Sequence, residues 1–193
     1  MLSNLKNYNI ILASRSPRRQ QLMAGLDIPF RVLTRDTPED FPPQLNGQEV
    51  ALMLAQRKSK AFNDEDLPQN YLLITADTIV WLNHRILNKP STREEAIFML
   101  QQLSNNTHIV YTGVCLRSSY KSETFVAQSE VKFKNLSLDE IEYYVDHYSP
   151  YDKAGSYGVQ EWIGYIAIES IKGSFYNVMG LPTQSLYKYL QTF

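Results

Sequence analysis

The residues best suited to chemistry lie in three segments: Ala13-Ser14-Arg15-Ser16-Pro17-Arg18-Arg19, Thr75-Ala76-Asp77-Thr78 and Asp152-Lys153-Ala154-Gly155-Ser156-Tyr157-Gly158-Val159-Gln160. In the first, Ser16 followed by Pro17 is a helix-start signal, a hydroxyl cap and then a ring whose φ is already helical. Arg18 and Arg19 then fall in the first helical turn, where the macrodipole is positive and each cation costs about 0.3–1 kcal/mol. An anion reverses that sign. Free backbone N–H groups, the hydroxyls of Ser14 and Ser16 and the guanidinium groups converge on one spot, as phosphate binding requires. An ordinary capped helix with two solvated arginines is the alternative for the same residues.

Asp77 stands inside an apolar run from Tyr71 to Leu82. A carboxylate among strand residues is costly unless it is paired, metal-bound or solvated by a cleft. The reading is a metal ligand or a general base at a strand terminus. In the third segment two glycines permit close backbone approach to a ligand, and Gln160 offers the donor and acceptor that reading a base edge requires. Lys89, just before a helix, meets a phosphate or lies in solvent. Glu39 is a second metal ligand or part of an acidic loop. Lys58, on the apolar stripe of Val50, Leu54, Ala61 and Phe62, snorkels to solvent or reaches a site beside the core.

The elements that must hold these residues alternate between strand and helix. The pattern predicts a strand at Tyr8–Ala13, a helix from Pro17 to about Gly25, a strand at Phe30–Thr34 and a rigid acidic loop at Thr37–Pro43. A helix at Gln48–Phe62 precedes a strand at Tyr71–Ala76, which Ile79–Leu82 continues or folds into a hairpin at Asn83-His84. Capping boxes at Ser91–Glu94 and Ser137–Glu140 start helices to about Leu103 and Tyr148. His108–Phe133 reads as two antiparallel strands around Ser118–Lys121, and Tyr165–Ile168 and Phe175–Val178 as short strands. Leu181-Pro182-Thr183 starts a terminal helix. The expectation is an α/β fold with a mixed sheet, forming one compact domain with a cleft.

Composition narrows the function. Nineteen basic against twenty acidic residues give a net charge of −1, which argues against a broad nucleic-acid surface. No apolar run approaches the roughly 20 residues of a membrane span, and the first residues carry no signal-peptide pattern. Cys115, the only cysteine, forms no internal disulfide and reads as a buried structural thiol, which fits a reducing, cytoplasmic compartment. His84, His108 and His147 have neither zinc nor triad spacing.

Taken in order, these segments resemble the Maf family of nucleoside triphosphate pyrophosphatases. The resemblance runs from about Ile10 to Leu190. Besides the three segments, it rests on Leu54-Ala55-Gln56-Arg57-Lys58, Lys89-Pro90 and Asn177-Val178-Met179-Gly180-Leu181-Pro182. It implies a Maf/ITPase-like α/β fold, a mixed β-sheet flanked by helices with two lobes around a cleft, and a single domain over 1–193. It further implies hydrolysis between the α- and β-phosphates of a nucleotide with a divalent cation, Mg²⁺ or Mn²⁺, and often a homodimer. Asp77 matches the family's proton acceptor, and Arg18, Thr78 and Gln160 match positions associated with substrate choice. Tyr-Gly-Val-Gln resembles the branch acting on dTTP and UTP. The alternatives are 7-methyl-GTP or other modified nucleotides, or a nucleotide-sensing regulator without turnover. On this resemblance Ser14, Ser16, Arg18, Arg19, Lys58, Thr78, Lys89 and Gln160 contact substrate, and Asp77 and Glu39 hold the metal. Two positions depart from the family pattern. Asn88 stands where glycine is frequent before Lys-Pro, and Glu161 follows Gln160 where glycine is usual, which puts a carboxylate beside the proposed base pocket.

Overall fold

A computed structural model describes residues 2–193. Strand β1 (Asn9–Leu12) pairs in parallel with β2 (Arg31–Val32) on one side and with β3 (Tyr71–Leu82) on the other. Beyond β3 the sheet continues antiparallel through β5 (Thr107–Arg117), β6 (Ser122–Phe133) and β7 (Ile168–Lys172). The short β4 (Arg85–Leu87) folds back on the end of β3 through Asn83 and His84, both left-handed at φ 48° and 62°. Such a two-residue turn twists with the strands it joins, so both sequence alternatives for Ile79–Leu82 hold together. The result is a mixed sheet flanked by helices, as the alternating pattern requires.

One face of β3 carries α2 (Gly47–Lys60). The opposite face carries α1 (Pro17–Ala24), α6 (Phe175–Met179) and α7 (Thr183–Thr192) toward one end, and α3 (Arg93–Leu103) and α4 (Leu138–Tyr148) toward the other. Leu72, Ile74, Val114 and Leu116 bury against Met23, Leu186 and Leu190, whereas Val80, Leu82 and Val110 bury against Leu100, Ile141 and Val145. The long strands β3 and β5 thus serve two cores, with Asp77 and Thr78 between them. Among the described residues no helix is long and apolar enough to cross a membrane.

Several local expectations are corrected. The segments Tyr165–Ile168 and Phe175–Val178 are not strands. The first falls mostly in α5 (Trp162–Ala167), and only from Ile168 onward does the chain enter β7. The second is α6, whose Ser174 cap accepts from the Asn177 N–H and whose end turns at Gly180 with φ 115°. Cap and stop residues override the aromatic, β-branched content of so short a segment. The start of α3 lies one residue later than the Ser91–Glu94 box: Thr92 is the cap, accepting from the Glu95 N–H at 3.2 Å, while the Glu95 carboxylate accepts from the Ser91 N–H at 2.6 Å. The second strand shrinks to Arg31–Val32 because its partner β1 ends at Leu12, opposite Val32.

His108 of β5 is fully buried, its ring edge-on to Phe133 and Tyr157, with Nε2 sharing a 2.7 Å hydrogen bond with the Tyr157 hydroxyl. Burial pushes its pKa from 6.5 down to about 3. The unfolded chain therefore takes up this proton below its ordinary pKa, while the folded chain does so only near the depressed one. The contribution to stability is whole above the unfolded value and is lost as pH falls toward the folded one. Urea denaturation should show stability falling below neutrality with a slope approaching about 1.4 kcal/mol per pH unit. His108→Gln should flatten that slope between about pH 6 and 5, above the range where carboxylates titrate. An unchanged slope in the variant would assign the acid sensitivity elsewhere.

Candidate active site

The site begins with a gap in the sheet. β1 ends at Leu12 opposite Ile74, and β4 begins to pair with β3 only at Val80. From Thr75 to Ile79, β3 has a paired edge toward β5 and no strand on the other side. Asp77 therefore lies in mid-strand, not at a strand terminus as its sequence suggested; the neighbouring strand is what terminates. Crevices beyond the carboxyl ends of parallel strands are where open α/β sheets bind ligands.

Strand alternation sends Asp77 and Thr78 to opposite faces. Thr75 donates to the Ala55 carbonyl of α2 at 2.7 Å, and Asp77, on the same face, accepts from Lys58 of α2. Gly113, the cross-strand partner of Asp77, explains how α2 comes so close. A Cβ there would press into the Ala51 carbonyl and lie 2.7 Å from the Leu52 nitrogen. Its missing side chain lets the α2 backbone rest on the sheet, carrying Lys58 to the carboxylate.

Lys58 also donates to Glu39 at 3.0 Å, and Lys89 donates to the other Glu39 oxygen at 2.9 Å. Glu39 is exposed, with 46% of its side chain open to solvent. Desolvation alone would raise its pKa, but the two ammonium groups hold it down at about 2. It comes from the irregular loop between β2 and α2, which Arg57 fastens by donating to the Pro38 carbonyl and the Asp40 carboxylate, each at 3.0 Å. Lys58 therefore reaches the site instead of snorkelling away, and Glu39, a loop residue, is paired with both ammonium groups.

On the other face Ser16 caps α1, accepting from the Arg19 N–H, while the buried Ser14 hydroxyl accepts from the Ser16 N–H at 3.2 Å. Both oxygens are used as acceptors, which leaves their O–H groups to donate. No acidic residue occupies the first turn of α1. Arg19 is committed to the protein: its Nε donates to the Gly180 carbonyl at 2.7 Å and its Nη2 to Thr78 at 2.9 Å. Burial lowers its pKa. It joins α1, β3 and the turn after α6, whereas Arg18 projects across the cleft to Asp152 at 3.1 Å. Asn177 anchors that turn, its side-chain amide donating to the Val110 carbonyl and Ser129, each at 3.0 Å.

The third segment forms the far wall. Gln160 carries a buried Oε1 with no hydrogen-bond partner among the described residues. All the sequence-predicted residues, Ser14, Ser16, Arg18, Arg19, Glu39, Lys58, Asp77, Thr78, Lys89 and Gln160, line one cleft of about 890 Å³. Three further cations on that lining, Arg15, Arg35 and Lys153, were given no individual role from the sequence. Arg15 makes a two-pronged bond to Asp36, at 2.6 and 3.2 Å. Lys153, buried between Asp152 at 2.6 Å and Glu161 at 3.1 Å, was legible only as a lysine beside an aspartate in a glycine-containing motif. Gly113 was also missed, although a lone glycine in a strand signals close backbone approach.

A hard divalent cation takes oxygen donors and is commonly held by one or two carboxylates together with substrate phosphates. Asp77 and Glu39, brought together on one ammonium, fit that donor set. Among the described residues no larger cluster of His, Cys, Asp or Glu supplies a metal cage.

Fold and cleft together define an α/β protein whose sheet crevice is equipped for a polyanionic ligand. The family profile described as Maf-like protein matches residues 9–193, and the chain belongs to the Maf family. A dTTP/UTP pyrophosphatase of Parabacteroides distasonis is 51% identical over 194 residues, covering 100% of both chains. Another of that name, from Bacteroides thetaiotaomicron, is 53% identical over 188 residues, 97% of each. Among solved structures, a HAM1 protein from Coxiella burnetii aligns with a TM-score of 0.41 at 14% identity, over 65% of this chain and 73% of that one.

Gly113→Ala should lift α2 from the sheet and lower stability by about 1–3 kcal/mol, the usual cost of overpacking. Denaturant midpoints measure this directly, and a wild-type midpoint would show that α2 can shift without penalty.

Proposed function

We propose that this chain is a dTTP/UTP pyrophosphatase, splitting the bond between the α- and β-phosphates to release the monophosphate and pyrophosphate. The observation that carries the reading is the Asp77 carboxylate on an unpaired strand edge, inside a cleft flanked by Arg18, Lys58 and Lys89. The names of the full-length relatives support the same substrates. Phosphoryl transfer asks the protein mainly for positioning and charge neutralisation. The start of α1, with Ser14, Ser16 and Arg18, receives the phosphates, and Lys58 and Lys89 offset their charge. Asp77 accepts a proton from the attacking water as the new O–P bond forms at the α-phosphorus. The bridging bond breaks, and pyrophosphate departs with the electron pair. Asp77 and Glu39 would hold a divalent cation, Mg²⁺ or Mn²⁺, which would stabilise charge on the phosphate oxygens.

At the base, the Gln160 amide donates to O4 and its free Oε1 accepts from N3–H of uracil or thymine. Cytosine has the opposite polarity at both atoms, so it would leave buried polar groups unpaired. A guanine edge shares the uracil polarity, which makes 7-methyl-GTP the informative purine control. In this reading residues 1–193 work as one catalytic domain, and the free, buried Cys115 accords with a cytoplasmic setting.

Asp77→Asn should reduce pyrophosphate release from dTTP and UTP by roughly 10²–10⁴-fold, the span for losing a general base, with folding retained. Near wild-type kcat would remove Asp77 from the chemistry. Gln160→Glu should relax or invert the preference for UTP over CTP, and an unchanged ranking across dTTP, UTP, CTP and 7-methyl-GTP would place base selection elsewhere.

A further inference from the structure

Gln160 sits in a turn whose two ends are tied to each other by a side chain from a distant helix. The backbone closes the turn first, the Glu161 N–H donating to the Gly158 carbonyl at 3.0 Å. The Gly158 N–H then donates to the Tyr144 hydroxyl of α4 at 3.0 Å, and that hydroxyl donates to the Glu161 carboxylate. The carboxylate is folded directly under the turn. A Cβ on Gly158 would stand 2.7 Å from the Glu161 carboxyl carbon, so a larger residue there would displace the carboxylate. The second Glu161 oxygen takes Lys153 at 3.1 Å, Lys153 takes Asp152 at 2.6 Å, and Asp152 takes Arg18 at 3.1 Å. Glu161 is itself absent from the cleft lining, while Gln160 and Arg18 both belong to it.

We infer that Glu161 is a positioning residue for nucleobase selection: with Tyr144 and Lys153 it locks the Gly158–Glu161 turn, which fixes the backbone from which the Gln160 side chain reaches the base. The inference rests on the base-reading role proposed for Gln160 and names the groups that make that role effective. Physically, a turn free to shift would carry the Gln160 amide in and out of register with the base edge it reads and weaken its discrimination. Discrimination requires that the wrong base be left unpaired, and that requires a fixed donor and a fixed acceptor. The carboxylate beside the base pocket is thus not a contact for the base. Its two oxygens are spent on Tyr144 and Lys153, beneath the turn. The chain of bonds through Lys153 and Asp152 also connects this turn with Arg18 on the opposite wall.

The test compares kcat/KM for UTP and CTP, read as pyrophosphate release, in wild type, Gln160→Ala, Glu161→Gln, Tyr144→Phe and the Glu161→Gln/Tyr144→Phe double variant. Glu161→Gln and Tyr144→Phe should each lower the UTP:CTP ratio about tenfold, with the double variant no worse than the stronger single, as for members of one network. A purely structural role would reduce activity on both nucleotides alike and leave the ratio in place, and that result overturns the inference. Losses that simply add in the double variant also overturn it. If Gln160→Ala collapses the ratio while the other variants keep it within about threefold of wild type, the base reading stands and the positioning role of Glu161 falls. A ratio unmoved by Gln160→Ala overturns the base reading, and this inference with it. Should Glu161→Gln fail to fold, Tyr144→Phe decides the matter by the same ratio, since it removes only a hydroxyl.

Discussion

The site depends on the close seating of α2 against the strands β3 and β5, which the absent side chain of Gly113 permits. Asp77 and Gly113 are cross-strand partners on the same face, so the carboxylate and the contact point of the helix are fixed by a single rung of the sheet. Lys58 follows Ala51 by two turns along α2, and Thr75 ties the Ala55 carbonyl between them to the strand. A helix displaced outward by a methyl group would leave Asp77 buried among apolar strand residues without its ammonium partner. That state is far more costly than the pair is stabilising. The geometry of the carboxylate is therefore inherited from backbone packing.

Charge balance is the second organising constraint. The cations that face the cleft have been matched with carboxylates of the chain: Arg18 with Asp152, Arg15 with Asp36, Lys58 with Asp77 and Glu39, Lys89 with Glu39. These partners keep the cluster near neutrality and hold each side chain in reach of one locus. A polyphosphate binding there must compete with them for the same donors. The loop carrying Asp36 and Glu39 is fastened to the site by these charge pairs, and by Phe41 and Leu45 packing against Val50, Leu54 and Ile79. Arg19 stands apart, since its partners are a carbonyl and a hydroxyl. It works as a strut between α1, Thr78 and the turn at Gly180.

Much of the site was legible because its residues are clustered in short segments with strong local signals. Ser16-Pro17 at a helix start, an aspartate inside an apolar run and glycines before Gln160 each state a local chemical requirement. The errors fell where local signals conflict. Phe175–Val178 has strand composition but lies between a serine cap and a glycine stop, and the caps decide so short a segment. Tyr165–Ile168 straddles the junction of α5 and β7. The unpaired charge in Tyr71–Leu82 suggested a strand end because a sequence shows one strand at a time, whereas the solvation of Asp77 is set by where β1 and β4 stop beside it.

The sequence alone determined the type of fold, the cap that opens α1 and the set of side chains available to a phosphate ligand, since these follow from hydrophobic periodicity, turn chemistry and residue type. Only the tertiary structure decided how those side chains divide their labour. The buried Lys153 pairs with the partly exposed Glu161 at the Gly158–Glu161 turn, Arg19 is spent on the scaffold while Arg18 crosses the cleft, and Asp77 faces α2 while Thr78 faces α1. Those assignments join residues as far apart in the chain as Arg18 and Asp152, or Arg19 and Gly180. Their energies depend on burial and on which partner arrives within hydrogen-bond reach, quantities that exist only once the chain has closed on itself.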